Sequence, residues 1–523
     1  MSKPLTHKAR FLKYRDESVI LKCMQYAKWT LPQLMVDTTV HNDGRGAILE
    51  RDYQEVGPLL VNNLAAKLTA LLFPASRPFY EAELSETLRA RAKERGVEEA
   101  TLVAEFAKLV LKSCKRLFKN ASYAQLVQAT RHLIVTGNVL VHRDSKDQRC
   151  STYGIQVFSC RRDGRGVLLD TVLRERSYIE ALPPEVQKVL RQHNPNKYRR
   201  PDDAPPVELF TRIERKIGKT GRVYFEVTQE ADDIPVGTPG TYPEHLCPWQ
   251  VVTWNLIAGE HYGRGLVEDY AGGFAKLSDG SEAATLYAIE IMKVVHLVAP
   301  GLGADIDELA MSESGQYVQG TQGAVQAHEA GDGLKLQAMR VELDGVFGNL
   351  ARAFMWKANT RDAERVTAFE LKQDAIEADN VLGGTYSSLS ETWQVPFAHI
   401  LMHEENPSVL GGILDDSIKL DIIAGVPALG RSIDLQNLLT AAQDASVIIP
   451  ALAQLSKKVD PEKLFTMVMA FSNVPTDDFL KSQSQLDAEA EAEKQIAEGR
   501  NQLVNAEAGA ETAEALRNLE QPV

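Results

Sequence analysis

The sequence predicts an α+β protein that is mostly helical, with long helices and a β-rich middle segment. Leucines recur every third or fourth residue in 59–72, the spacing of one face of an amphipathic helix. Between 151 and 258, runs of β-forming residues alternate with Gly-containing turns, which is typical of β-hairpins. After 266 most of the chain returns to helical spacing, so the helices lie on both sides of the β-rich segment.

The first 140 residues predict three helices after a polar N-terminus. The first, at 59–72, ends before Pro74 because proline cannot donate to the helical hydrogen-bond ladder. The second lies near 99–118 and the third near 122–135. The third stops at Gly137, and the apolar run NVLVH that follows predicts a strand.

The middle of the chain predicts two hairpins. In the first, YGIQVFS and VLLDTVLRE flank the turn RRDGRG; in the second, ELFTRIERKIG and VYFEVTQE flank KTGR. The segment 232–248 is dense in Pro and Gly, which predicts a loop. QVVTWNLI then predicts a strand, and AGEHYGRG predicts a tight turn.

The remainder predicts helices separated by Gly and Pro. Residues 266–298 predict one long helix or two abutting ones, followed by a Gly-rich interlude at 300–333. Helices are expected at 334–358 and 366–404, the latter interrupted at Gly383–Gly384 and at Pro396, and shorter helices at 416–472. The acidic tail 482–523 is poor in large apolar residues, which predicts disorder.

Length and composition limit the class of protein. The chain has 523 residues, too many for one ordinary core, and 44% hydrophobic with 25% charged residues is normal for a soluble protein. No apolar run approaches the roughly 20 residues of a membrane span, and the N-terminus lacks the apolar core of a secretory signal. The five cysteines form no CxxC pair, which indicates a reducing compartment without a disulfide framework.

The net charge of −13 is spread unevenly. Residues 476–523 contain 4 basic and 11 acidic residues, a net of −7, whereas 161–222 contain 15 basic and 9 acidic residues, a net of +6. An acidic chain is a poor general ligand for nucleic acid, because phosphate binding depends on Lys and Arg. The basic middle is either a place of weak DNA contact or a solvated β surface.

A search for chemistry gives no positive support for an enzyme. Gly218-Lys219-Thr220 ends like a phosphate-binding loop, but Ile213 stands where that loop needs its first glycine. His399 and His403 have the spacing of two metal ligands on a helix, yet they are not in the zinc-protease order, and two surface or interface histidines are the simpler reading. We therefore expect no catalytic residue, no metal and no cofactor.

Seven sequence blocks stand out along the chain. They are GPLLVNNLAAKLTALLFP (57–74), GNVLV (137–141), GTYPEHLCP (240–248), YGRGLVEDY (262–270), ERVTAFEL (364–371), LGGTYSSLS (382–390) and LGRSIDL (429–435). These blocks resemble the portal proteins, also called head–tail connectors, of short-tailed bacteriophages. They follow the order of that family across about residues 14–470, and this order is more specific than any single block.

This resemblance implies a portal fold assembled as a dodecameric ring around an axial channel at one capsid vertex. Double-stranded DNA would enter and leave through the channel. The implied partners are further copies of the chain, double-stranded DNA, the terminase packaging motor, scaffolding and major capsid proteins, and tail adaptor and internal core proteins. The chain would be a virion protein, assembled in the host bacterial cytoplasm, with no membrane contact.

On this basis the chain divides into six predicted regions. They are an N-terminal helical region or wing part (1–150), a β-rich hairpin region or wing and clip part (151–258), long channel-forming stem helices (259–360), a gate junction and long wing helix (361–425), a C-terminal helical crown (426–481) and the acidic tail (482–523).

Two pairs of residues are candidate sites. Asn62 and Asn63 interrupt an apolar helix, and buried polar groups take partners, so we predict that they bond backbone carbonyls of a neighbouring segment or subunit. Exposure of both to solvent is the alternative. In the family the arginine of the ERVTA block borders the narrowest part of the channel, which makes Arg365, with Arg361 before it, the predicted DNA-channel gate. For Arg365, a salt bridge to Glu364 or Glu370 is the alternative.

The competing function is a non-enzymatic scaffolding or adaptor protein that binds only protein partners. The absence of a repeat period argues against a helical solenoid of that kind.

Overall fold

The computed structural model describes most of the first 356 residues and two later stretches. The described residues are 5–36, 52–75, 77–86, 99–198, 205–219, 221–292, 294–298, 325–329, 333–356, 384–407 and 418–422, with the single positions 88, 90, 94, 307 and 311. The chain forms two compact units, of which the first contains residues 1–83 and 110–427 and the second contains 84–109 and 428–523. The features below belong to the first unit unless stated.

Helices dominate the N-terminal part, as the leucine spacing predicts. They are α1 (His7–Tyr14), α2 (Glu17–Trp29), α3 (Val56–Leu72), α4 (Glu99–Arg116), whose first residues belong to the second unit, and α5 (Ser122–Thr136). Helix α3 lies at the centre of the packing, because Leu60, Leu64, Leu68 and Leu72 are each at most 1% exposed. The three predicted helices are α3, α4 and α5, whereas α1, α2 and the short strand β1 (Tyr80–Leu84) were not predicted.

The predicted strand after Gly137 is the centre of a three-stranded sheet. In it β2 (Asn138–Asp144) pairs antiparallel with β3 (Arg149–Gly154) on one side and with β9 (Trp249–Thr253) on the other. The buried Asn138 side chain donates to the Gly263 carbonyl and accepts from the Gly263 amide, both at 2.7 Å. The blocks GNVLV and YGRGLVEDY, far apart in sequence, therefore meet in one joint.

Between β3 and β9 the chain forms a five-stranded antiparallel meander. Its strands are β4 (Phe158–Arg162), β5 (Leu168–Ser177), β6 (Val207–Ile217), β7 (Val223–Ala231) and β8 (Ile234–Pro243), in that order. Both predicted hairpins are confirmed, as β4–β5 and β6–β7. The loop predicted for 232–248 is wrong at β8, whose backbone pairs with β7 across a bulge between Val227 and Gln229. Helix α6 (Pro184–His193) was not predicted and packs Val186 and Leu190 into a cluster with Val207 and Val236.

A pair of long helices follows the joint. After the short α7 (Leu266–Asp269), helix α8 (Ala271–Ile291) leads into strand β10 (Val294–Val298), and β11 (Val325–Glu329) returns into helix α9 (Gly333–Ala353). Strands β10 and β11 pair antiparallel. The helix predicted to extend to 298 therefore ends at Ile291. Residues 294–298 (VVHLV) are mostly β-branched, and such a short apolar run fits either a strand or a buried helix.

The next described segment, 384–407, is helical throughout. It consists of α10 (Thr385–Leu389), a π-helical turn (Ser390–Gln394) and α11 (Val395–Glu405). The interruption predicted at Pro396 takes the form of the π-helical turn, which ends two residues before this proline, because proline offers no N–H for the regular α-helical hydrogen bond. Strand β12 (Ile418–Ile422) pairs with β1 and replaces a helix predicted at 416–472. The rest of that range and the tail lie outside the described residues.

These elements confirm the α+β class with long helices and a β-rich middle. In the described part of the chain, every helix is too short or too polar to span a bilayer. The division into six regions stays a prediction.

Candidate functional site

Helices α8 and α9 pack against each other through glycines. A Cβ at Gly280 would lie 2.6 Å from Leu343 Cδ2, and one at Gly273 would lie 3.2 Å from Leu350 Cδ2. The two glycines are seven residues apart, about two helical turns, so they lie on one face of α8. Small side chains on this face let the leucines of α9 approach the α8 backbone closely.

The opposite faces of the same two helices expose apolar side chains. Leu286 and Ile289 on α8 are 55% and 47% exposed, and Leu334 and Val341 on α9 are 74% and 66% exposed. Residues two apart on a helix point about 200° apart, which places Val341 on the far side from Leu343. We call Leu286 with Ile289 the α8 outer patch, and Leu334 with Val341 the α9 outer patch.

Among the residues that the structure describes, the two helices join the rest of the unit at one end. The buried side chains of α8 are Phe274 and Leu277, in its first two turns, and those of α9 are Leu350, Ala351 and Ala353, in its last turn. Phe354 is fully buried there, and its ring lies 5.6 Å from that of Phe274 in an edge-to-face contact. Ser278 Oγ also donates to Asp52 Oδ1 at 2.8 Å. We call this end the base of the helix pair.

At the base, side chains of α3 form hydrogen bonds to Met355, which follows the end of α9. Met355 is 3% exposed and has a left-handed backbone with φ of 54°. Its carbonyl oxygen accepts hydrogen bonds from Lys67 Nζ at 2.8 Å and from Asn63 Nδ2 at 3.4 Å. Asn62 Oδ1 is buried and accepts no hydrogen bond from the residues that the structure describes. The structure thus places Asn63 on a backbone carbonyl of a distant segment, and the role of the pair in contacts between subunits stays a prediction.

The C-terminal end of α3 contacts the helical segment 384–407. Gln394 Nε2 donates to the Leu72 carbonyl at 2.5 Å. The Phe73 ring contacts those of Trp393 and Phe397 at 5.1 and 5.7 Å. Residues of the block GPLLVNNLAAKLTALLFP therefore contact the chain shortly before and shortly after residues 357–383. Arg361 and Arg365 fall in that range and lie outside the described residues.

A buried ion pair fixes the far end of α11. Arg143 and Glu404, whose side chains are 0% and 3% exposed, form two hydrogen bonds of 3.0 and 2.9 Å. The third guanidinium nitrogen, Nη1, donates to Ser122 Oγ and to the Gln148 carbonyl. This arrangement satisfies both charges inside the protein, where an unpaired charge is costly.

The basic middle is paired with acids to a large extent. Arg212 binds the buried Asp170 carboxylate with two nitrogens, and Lys216 pairs with Glu226 on the neighbouring strand. Further pairs join Arg176 to Glu208, Lys197 to Asp232 and Arg215 to Glu244. Gly218 and Gly221 form the turn of the β6–β7 hairpin, as expected, rather than a phosphate-binding loop before a helix. The geometry favours a solvated β surface over a DNA contact here.

The histidine pair on α11 does not assemble a metal site in the described residues, where no group of three metal-binding side chains occurs. His399 Nδ1 lies 2.8 Å from the Val395 carbonyl, and its ring is 5.2 Å from that of His245. Burial lowers the pKa of His399 to about 4, which keeps the ring neutral at pH 7.

All five cysteines are buried and reduced. Burial raises the pKa of Cys23, Cys114 and Cys247 to about 12 and that of Cys160 to about 11, and it also raises the pKa of Cys150. Because the thiolate is the reactive form, these side chains are chemically inert in the folded protein.

Sequence reasoning missed most of these features. One sequence pattern could have indicated the outer patches. Both helices carry apolar residues on the face opposite the one through which they pack at the glycines. For the Met355 contact, the sequence indicated that Asn63 needs a backbone partner but did not indicate which one, since Met355 lies 292 residues from Asn63 and 288 from Lys67.

Comparison with known proteins agrees with the order of the seven blocks. Residues 5–480 match the family described as "Bacteriophage head to tail connecting protein". The portal protein of Pseudomonas phage phiKMV is 41% identical over 508 residues, which cover 95% of this chain and 98% of that protein. The portal protein of Enterobacteria phage SP6 is 30% identical over 427 residues, covering 82% and 80%, and that of Escherichia phage T7 is 27% identical over 419 residues, covering 79% and 76%.

Among solved structures, the neck of an empty gene transfer agent particle matches with a TM-score of 0.37 and 11% identity, covering 81% of this chain and 95% of that one. The sequence matches alone carry the assignment: over nearly its whole length, this chain belongs to the family of bacteriophage head-to-tail connecting proteins.

Proposed function

We propose that the chain is a phage portal that forms a dodecameric ring at one capsid vertex and conducts double-stranded DNA during packaging and ejection. Its partners are then the terminase motor, scaffolding and major capsid proteins, and the tail adaptor and internal core proteins. The family membership supports the head-to-tail role, and the helix pair supplies the observation that supports a ring.

That observation is the position of the two outer patches. Gly280 opposite Leu343 and Gly273 opposite Leu350 fix how the antiparallel helices align. Extended along the pair, this alignment puts Ile289 at the level of Leu334 and Leu286 at the level of Gln337. The outer patches therefore lie at about the same level on opposite sides of the helix pair.

Such an arrangement suits head-to-tail association. A cyclic ring joins two different faces of each subunit, and every copy stands at the same level. The α8 outer patch of one copy then meets the α9 outer patch of the next. Helix α8 carries one basic and three acidic residues, whereas α9 carries three basic and two acidic residues, so the net charges of the facing helices are opposite.

The test replaces the α9 outer patch by charge. We expect Leu334→Glu with Val341→Glu to abolish rings, because two new carboxylates per interface would then be buried beside α8, which carries three acidic residues. The subunit itself should fold with nearly unchanged stability, since both positions are exposed. Negative-stain microscopy and mass photometry detect the rings, and thermal unfolding measures the stability of the subunit.

The matched control is Leu12→Glu with Ile217→Glu, which changes two leucine-sized side chains that are 61% and 68% exposed outside the helix pair. Control rings at wild-type yield and no rings in the patch variant would support the proposal. Rings of normal yield in the patch variant would refute this interface. A wild-type chain that forms no ring with an axial hole would favour the adaptor alternative.

The gate role of Arg365, with Arg361 near it, rests on the resemblance of the ERVTAFEL block. A guanidinium stays charged at any working pH, so a ring of such side chains would attract DNA phosphates and hold packaged DNA. We expect Arg365→Ala to form normal rings but to yield heads with several-fold less nuclease-protected DNA, and Arg365→Lys to be intermediate. Loss of rings would instead favour the salt-bridge role, and normal DNA content would remove Arg365 from the gate.

A further inference from the structure

We propose that Lys67 is a positioning residue that sets the direction in which helices α8 and α9 leave the rest of their unit. The geometric part of this inference stands on the described residues alone. Its consequence for the width of a DNA channel rests on the proposed function.

In the described part of the chain, the helix pair is attached to the rest of the unit at its base, and most of its length extends beyond that attachment. Each helix has 21 residues, and all their buried side chains lie at the base. At a rise of about 1.5 Å per residue, the pair extends about 30 Å. Beyond the base, the described side chains of the two helices are shielded mainly by each other, so the contacts at the base decide the direction of the whole pair.

Lys67 connects this base to helix α3, whose leucine face is buried in the core. It follows Leu64 and precedes Leu68, both 1% exposed, so its backbone is fixed by the core. Its ammonium group donates to the Met355 carbonyl, and a hydrogen bond from a charged donor is stronger than one between neutral groups. Asn63, four residues earlier, donates to the same oxygen, so two side chains of α3 fix the position of this carbonyl group.

The accepting carbonyl group of Met355 has a well-defined position. Met355 has a left-handed backbone, which is uncommon for a residue other than glycine. The amides around it close the end of α9, since Phe354 N donates to the Leu350 carbonyl at 2.9 Å and Trp356 N donates to the Ala351 carbonyl at 2.8 Å. A force on the Met355 carbonyl is therefore transmitted directly to the last turn of α9.

The length of the pair multiplies small changes at the base. A rotation of about 10° there displaces the far end of a 30 Å helix by about 5 Å. In a ring this displacement repeats in every subunit, so the Lys67 contact would set the bore of the channel. Lys67 would then act on DNA passage through geometry, without touching DNA.

The test measures that direction by spin labels on the full chain. Labels are placed at Met292→Cys, at the far end of α8 and 72% exposed, and at Arg191→Cys, exposed on α6. The five native cysteines are buried with raised thiol pKa values, so only the introduced ones react. Labelled chain is mixed with an excess of unlabelled chain, so that one pair of labels is measured in each particle.

We expect Lys67→Met to shift or broaden the label-to-label distance by several ångströms. Amide exchange at Phe354 and Trp356 should also accelerate by about tenfold, because a charged hydrogen bond at the end of α9 is lost. Lys67→Arg should restore the wild-type distance, since it keeps a charged donor. Lys276→Met, which removes an ion pair to Glu342 within the helix pair, is the control and should change neither readout.

A wild-type distance distribution in Lys67→Met would refute the positioning role. Equal shifts in Lys67→Met and Lys67→Arg would refute it as well, because a packing defect alone would then account for them. Both readouts work on rings and on isolated subunits, so failure of ring assembly counts against the proposed function and leaves the test of Lys67 intact.

Discussion

Replacing Arg143 by Met is expected to lower the free energy of unfolding by about 3–5 kcal/mol, the cost of leaving one member of a buried pair without its partner. Glu404 would keep a carboxylate with a side chain that is 3% exposed and would lose both bonds to the guanidinium. Ser122 and the Gln148 carbonyl would also lose a donor. Urea unfolding followed by circular dichroism measures this change.

Two further variants separate the charge effect from general damage. Lys8→Met removes an exposed pair with Glu208 and should change stability by less than about 1 kcal/mol. Adding Glu404→Leu to Arg143→Met should recover much of the loss, because no unpaired charge then remains buried. A loss below about 1 kcal/mol for Arg143→Met would show that water reaches this pair in solution.

Gly137→Ala is expected to prevent formation of the native unit or to destabilise it by more than about 3 kcal/mol. Gly137 has φ of 72°, a region that favours glycine, and a Cβ there would lie 2.4 Å from the Arg264 carbonyl carbon. The three nearest atoms, from Arg264, Gly265 and Gly263, are all backbone, so no side chain can move aside. Soluble yield and the midpoint of thermal unfolding measure the effect.

Gly272→Ala is the matched control for this substitution. It lies in α8, and no atom outside its helix approaches within 4 Å of an added Cβ. Alanine favours helix more than glycine, so this variant should be slightly more stable than wild type, by up to about 1 kcal/mol. Similar behaviour of the two variants would contradict the close approach at Gly137.

The elements that could be predicted from sequence are those whose own residues decide their structure. Helix α3 has an apolar face repeated over four turns, and the hairpins β4–β5 and β6–β7 carry both alternation and turn residues. Strand β8 could not be predicted, because Pro235, Gly237, Pro239 and Gly240 oppose a regular strand locally. Its pairing with β7 is decided by tertiary contact, and the bulge accommodates the mismatch.

The candidate site was partly visible in the sequence. Two asparagines in an apolar helix indicate polar groups in need of partners, and Asn63 has one. The identity of that partner depends on how α9 ends, which no local pattern encodes. Likewise, an apolar residue on a long helix does not show by itself whether it packs inside the subunit or is exposed, as Leu343 against Gly280 and the exposed Val341 illustrate from opposite sides of α9.

The joint between Asn138 and Gly263 has a consequence for the order of folding. These residues are 125 positions apart, so the contact closes a long loop, and long loops are entropically costly to close. Every strand pair of the meander inside that loop, by contrast, joins strands consecutive in the chain. Local contacts form faster than distant ones, so we expect β4–β8 to fold first and shorten the effective loop. The pairing of β2 with β9 would then close late, and a chain stalled before that step would carry a folded meander beside a β2–β3 hairpin that lacks β9.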